Sequence, residues 1–181
     1  MNRPHTLVVM VEDHPGVLNR VVSLLRRRSF NIDSITVGHS EQSGVSRMTI
    51  VVNGSDADIE QAGKQLYKLL EVLKVTDVTD LPVVSHEMAL IKVAAKSQHR
   101  QEILLIAQMF NARVIDANPN TLLLEMTGPA EQVESLLTML RTFGIRELVR
   151  TGSISMTRGS SQMSGKGLNA SVQELQPVVA N

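Results

Sequence analysis

A chain of 181 residues whose hydropathy pattern runs through the same six elements twice has few ways to fold. The first pass opens at Leu7 to Val11, a valine-rich run closed by Glu12-Asp13-His14-Pro15-Gly16, which reads as a buried strand ending in a turn. A helix should follow, because Val17, Leu18, Val21, Val22, Leu24 and Leu25 fall on one helical stripe while Asn19, Arg20 and Arg26 to Arg28 face water. Arginines in its last turn suit the negative end of the helix dipole. Asn31 to Val37 alternates at period two, Gly38 to Gly44 supplies turn chemistry and Val45 to Val52 is again β-branched, which predicts a hairpin. Ser55 can cap a second helix running through Leu70, with Ile59, Ala62, Leu66, Leu69 and Leu70 inward, and Val72 to Val78 alternates as a strand.

The second pass repeats that order. Met88 to Ala95 is an apolar strand, Ile103, Leu104, Ala107, Met109 and Phe110 give a helical face, and strands at Ala112 to Ala117 and Thr121 to Met126 flank the turn Asn118-Pro119-Asn120. Gly128-Pro129 opens a helix with Val133, Leu136, Leu137 and Leu140 inward, and Ile145 to Val149 closes the repeat. The halves match in element order rather than residue identity. The expected fold is therefore α+β, two ferredoxin-like βαββαβ domains in tandem. Their expected bounds are 1–80 and 86–158, with a linker at 81–85 around Pro82. From Arg158 on, Gly, Ser, Asn and Gln dominate without periodicity, which predicts a disordered tail over 159–181.

Composition excludes several function classes. Without cysteine there is no disulfide framework, thiolate metal site or cysteine nucleophile, and the expected compartment is the cytoplasm. Eighteen basic residues balance eighteen acidic ones, so no general attraction draws the chain to phosphate backbones. One Tyr, three Phe and no Trp leave few platforms for stacking single-stranded bases, and nucleic acid is not an expected partner. Met1 to His5 is polar, unlike a signal peptide, and no apolar run approaches the roughly 20 residues needed to span a bilayer, so no membrane is expected either.

Motifs of catalysis are missing. Gly165-Lys166-Gly167 invites a phosphate-loop reading and fails it, since Gly159 is one place too far, Lys166 precedes a glycine and no strand leads in. His5, His14, His39, His86 and His99 show no metal-ligand spacing and read as solvated surface histidines; no metal site is expected. Arg26-Arg27-Arg28 reads as a solvated helix end. No Ser, His and Asp stand in a nucleophile-elbow context, and no carboxylate pair is placed for acid and base work. A catalytic residue is not assigned.

The turn at Asp13 to Gly16 is the remaining candidate. Pro15 is pre-set for a helix start, and Gly16 lets a ligand approach the backbone without a Cβ in the way. Unpaired amides at a helix start form a carboxylate site, Asp13 can cap the helix, and the Asn31 amide both donates and accepts. A small zwitterion needs that mix. On these residues alone, Asp-x-Pro-Gly can equally be no more than a well-built helix start.

Glu12-Asp13-His14-Pro15-Gly16-Val17-Leu18 at the head of a βαββαβ unit resembles the ligand turn of ACT domains. Further stretches resemble one family more specifically, the small, regulatory subunits of acetolactate synthase (acetohydroxyacid synthase): Asn31 to Val37, Ser46 to Ile50, Lys64 to Val75 and Val149 to Gly152. The resemblance runs from about Thr6 to Gly159. Position 13 is Asn in some members and Asp here, so its contact with a ligand would run through backbone or capping.

That resemblance implies an ACT domain in the first half and a subunit with no catalytic site or cofactor of its own. It implies a large catalytic partner carrying thiamine diphosphate, magnesium and FAD, which condenses pyruvate with pyruvate or 2-oxobutyrate in branched-chain amino acid biosynthesis and is activated by the small subunit. It also implies a homodimer through the ACT domains and feedback inhibition by a branched-chain amino acid, usually valine. The implied effector site has Asp13, His14, Gly16, Val17 and Leu18 from one chain, with Asn31 and Ile32 from the facing one. Two alternatives stay open: a free-standing amino-acid sensor acting on another enzyme or transporter, and a small transferase of the same fold.

Overall fold

Strand β1 (Arg3–Glu12) carries Leu7, Val9 and Val11 on one face, and everything in the first domain is arranged around that row. The computed structural model describes residues 2–159. After β1 come α1 (Val17–Arg27), β2 (Asn31–His39), β3 (Val45–Gly54), α2 (Asp56–Leu66) and β4 (Val72–Asp77). The strands form an antiparallel sheet in the order β2-β3-β1-β4. Val17, Val21, Leu24 and Leu25 of α1 and Ile59, Ala62 and Leu66 of α2 close over the row from β1 and over Met48, Ile50 and Val52 of β3. Both helices thus lie on one face of the sheet.

The second domain repeats the plan with β5 (Val83–Ala94), α3 (Arg100–Met109), β6 (Arg113–Asn118), β7 (Thr121–Gly128), α4 (Ala130–Leu140), a 3-10 turn at Arg141–Phe143 and β8 (Ile145–Arg150). Its sheet order is β6-β7-β5-β8, the equivalent arrangement, with Ala89, Ile91 and Val93 of β5 at the centre of its own core. The fold is the expected α+β pair of ferredoxin-like units.

Several local expectations are corrected. The linker expected at 81–85 is in part strand: β5 starts at Val83, and Val83 to His86 pair with an unanticipated strand, β9 (Ile154–Thr157). Helix α2 stops at Leu66 rather than Leu70. Lys68 and Leu69 turn back by short bonds to the carbonyls of Gln65 and Leu66, and Tyr67 Oη accepts from the Val75 amide at 3.0 Å, which pulls the chain toward β4. Leu70, expected inward, is therefore 92% exposed. In α3 the inward residues are Ile103, Ile106 and Ala107, while Leu104 and Met109 face out. Four consecutive apolar residues, Ile103 to Ile106, fit two helical stripes, and only packing chooses between them. His5, expected at the surface, is 1% exposed, its Nδ1 lying 3.5 Å from Asp77 Oδ2.

Arg158, the last residue before the expected tail, is held by its amide to the Pro82 carbonyl at 2.8 Å. The remaining disorder expectation, with Lys166 and its glycines, falls on residues 160–181, outside the described residues. Among the described residues no helix is long and apolar enough to cross a membrane, and no group of three or more His, Asp or Glu could hold a metal ion.

A two-layer unit would leave the face of its sheet opposite the helices to solvent. Here Val8, Met10, Thr49 and Thr76 on that face of the first sheet are buried. The second domain lies against it, with Arg47 Nη2 of β3 donating to the Ser155 carbonyl of β9 at 2.7 Å. Beside this contact is a cavity of about 520 Å³ whose lining includes Val37, Arg47, Val84, His86, Ile154 and Met156.

Candidate functional site

The turn after β1 is fixed at its start by two backbone bonds to distant segments. The Glu12 amide donates to the Glu71 carbonyl at 2.9 Å, and the Asp13 amide donates to the Gly44 carbonyl at 2.9 Å. Gly16 then takes the N-cap position with φ +93°, in the left-handed region that favours glycine. Among the described residues a Cβ there would meet nothing within 4 Å, so they leave the space over the turn open. The Gly16 carbonyl accepts the first helical bond from the Arg20 amide at 3.0 Å.

Asp13 does not cap the helix, contrary to expectation, and α1 has no side-chain cap. Its Oδ2 lies 2.9 Å from Nδ1 of His39, which draws the carboxylate toward the end of β2. Among the described residues no acceptor takes the amides of Leu18 and Asn19, and the Val17 amide has only a long bond of 3.5 Å to the His14 carbonyl. Free amides and the positive end of an 11-residue helix dipole together make this a place where a carboxylate is stabilised.

The side chains divide accordingly. Val17 is buried in the core and can offer a ligand only its backbone, whereas Leu18 is partly exposed beside the turn. His14 is half exposed, with Nε2 3.3 Å from Glu12 Oε2. Arg20, one turn into the helix, forms a close ion pair with Glu71, a mostly buried carboxylate that holds the guanidinium near the turn. Glu71, Gly44 and His39 escaped sequence reasoning because each reaches the turn only through folding, from 26 or more positions along the chain.

Asn31 and Ile32 are placed elsewhere. Asn31 pairs with Asn53 in the β2–β3 ladder, at the opposite end of the sheet from Glu12, which pairs with Val45. Eight positions along β3 separate the two ends, roughly 26 Å at the usual strand rise. Asn31 Nδ2 donates to Asp33 Oδ1 at 2.9 Å, and a register shift between Ile32 and Ser34 sets these first residues apart from the rest of the strand. One chain therefore brings Asp13, His14, Gly16, Val17 and Leu18 together and leaves Asn31 and Ile32 out of reach.

Comparison with known proteins follows the same division of the chain. Residues 7–74 match the family described as AHAS small subunit-like ACT domain, and residues 86–159 match the one described as small subunit of acetolactate synthase. The probable acetolactate synthase small subunit of Methanothermobacter thermautotrophicus is 46% identical over 160 residues, 88% of this chain and 95% of the relative. The acetolactate synthase small subunit of Mycobacterium bovis is 47% identical over 157 residues, 87% and 94% of the two chains. The crystal structure of the acetolactate synthase small subunit from Thermotoga maritima aligns with a TM-score of 0.82 at 43% identity, over 87% of this chain and 98% of the other.

Proposed function

The chain belongs to the acetolactate synthase small-subunit family, and from that premise we propose that it is the non-catalytic, regulatory subunit of a cytoplasmic acetolactate synthase. It activates a large subunit that holds thiamine diphosphate, magnesium and FAD and carries out the condensation. It also confers feedback inhibition by a branched-chain amino acid, with valine the first candidate, in branched-chain amino acid biosynthesis.

The observation that carries the effector part is the position of β2. Among the described residues it is an edge strand, bonded on one side only to β3, and such an edge invites pairing with a second copy. An isologous contact between two β2 strands is antiparallel by symmetry, so the Asn31 end of one chain meets the His39 end of the other. His39 is tied to Asp13 of the turn. Dimerisation through this edge thus brings Asn31 and Ile32 of one protomer toward the free amides at the helix start of its partner. The ligand carboxylate rests on those amides, the Asn31 amide takes a polar group, and Leu18 and Ile32 offer apolar contact to a branched side chain.

Mixing the purified chain with the large subunit of its host, with and without valine, tests this function. The expected results are no acetolactate formation by the chain alone, an increased rate on mixing, and a graded fall in that rate as valine is added. An unchanged rate at saturating small subunit would reject the assignment.

A further inference from the structure

Strand β2 joins both halves of the proposed effector site, and the second domain grips it at its centre. Asn31 and Ile32 lie at its start, and His39 at its end is 2.9 Å from Asp13 of the turn. Between them, a Cβ at Gly152 would stand 2.5 Å from Thr36 Oγ1 and 3.2 Å from the Ile35 carbonyl oxygen, so only glycine allows the chain to pass this close. One strand further in, Arg47 of β3 donates to the Ser155 carbonyl at 2.7 Å. Residues 152–155 of the second domain therefore span the β2–β3 pair midway between the strand's two functional ends.

The closed seam is incompletely satisfied. Thr36 Oγ1 is buried with no hydrogen-bond partner among the described residues, and a desolvated hydroxyl of that kind is a standing cost that opening the seam would relieve. Closed and loosened arrangements are for that reason nearer in free energy than they would be across a fully paired contact. A ligand with different affinities for two such arrangements can shift the balance between them.

We infer that Gly152 is a positioning residue for the effector site: the 152–155 segment fixes the centre of β2, and binding at the ends of β2 is linked to the seating of the second domain on the first. Linkage is reciprocal, so a seam that raises effector affinity is itself tightened by effector. The ligand in this inference rests on the effector reading above, whereas the seam rests on its own contacts.

The test uses the full chain with two substitutions. Gly152→Ala forces β2 and the second domain apart. Adding Thr36→Ala removes the first atom the new methyl meets and leaves the Ile35 carbonyl, at 3.2 Å, to give by a few tenths of an ångström. Expected for Gly152→Ala are an intact circular dichroism spectrum, faster amide exchange at residues 35–37, and valine affinity by calorimetry reduced at least about fivefold, the low end of ordinary couplings. The double variant should recover both exchange and affinity. Wild-type exchange and affinity in Gly152→Ala would overturn the inference, and so would an equal loss in the double variant, which marks a general folding defect. If the wild-type chain binds none of valine, leucine and isoleucine, the effector reading falls by itself. The seam is then upheld by accelerated exchange at 35–37 that the double variant reverses, and overturned by unchanged exchange.

Discussion

His39 Nδ1 lies 2.9 Å from Asp13 Oδ2, so a side chain at the last residue of the edge strand β2 is tied to the turn that opens helix α1. The pair takes Asp13 away from the cap it could have formed and leaves the helix start to the bare backbone of Gly16. A capped helix start has fewer amides to offer a ligand. By engaging the carboxylate sideways, the fold keeps the Leu18 and Asn19 amides available.

Gly16→Asp should abolish the effector response while activation of the large subunit persists. The new carboxylate would occupy the open space above the turn and repel a ligand carboxylate at the same amides. Gly16→Ala is the control, because the left-handed φ of +93° costs an L residue roughly 1–2 kcal/mol while the added methyl meets no neighbour. Calorimetry should show effector binding retained in Gly16→Ala and lost in Gly16→Asp. Wild-type affinity in Gly16→Asp would remove this turn from the site.

Asn31→Ala should weaken effector binding without reducing activation, since the residue sits roughly 26 Å along the sheet from its own chain's turn and, in the proposed dimer, would serve its partner's. A mixed dimer of one Gly16→Asp chain and one Asn31→Ala chain concentrates both lesions in one shared site. Such dimers should bind one equivalent of effector at near wild-type affinity. Two equally weakened sites would mean that each chain binds alone.

Leu66→Ala should destabilise the chain by about 2–5 kcal/mol, because Leu66 is fully buried against the first core. Leu70→Ala should lie within about 0.5 kcal/mol of wild type, because that side chain already stands in water. Denaturant titration of the two variants tests the helix end directly: comparable losses would put Leu70 back on the inward face.

Ser55→Ala should remove the hydroxyl half of a capping box in which the Asp58 amide donates to Ser55 Oγ at 3.3 Å and the Ser55 amide donates to Asp58 Oδ2 at 3.0 Å. Loss of such a cap costs typically about 1 kcal/mol. The Ser55 hydroxyl and amide hold the Asp58 carboxyl below its ordinary value of 3.8, so its contribution is complete above that pH and disappears as acid protonates it below. Thermal melts between pH 2 and pH 6 should show the wild type losing this increment in acid and Ser55→Ala losing less, because the backbone amide of residue 55 still donates to Asp58; an identical acid dependence in both would exclude the hydroxyl as its source.

The sequence alone was sufficient for the order of the twelve elements of the two repeats, though not for β9, for most inward rows, such as Val133, Leu136, Leu137 and Leu140 of α4, and for the turn at Asp13 to Gly16. These follow from local periodicity and turn chemistry, which act between residues a few positions apart. Tertiary structure decided the remainder because it depends on residues far apart in the chain. The end of α2 was set by a Tyr67 bond to β4, and the phase of α3 by the sheet beneath four consecutive apolar residues. Asp13 lost its expected cap to His39, and Gly152 reads as an ordinary loop glycine until β2 is seen against it. A hydropathy pattern records which face of an element is buried; it holds no information on which distant segment does the burying.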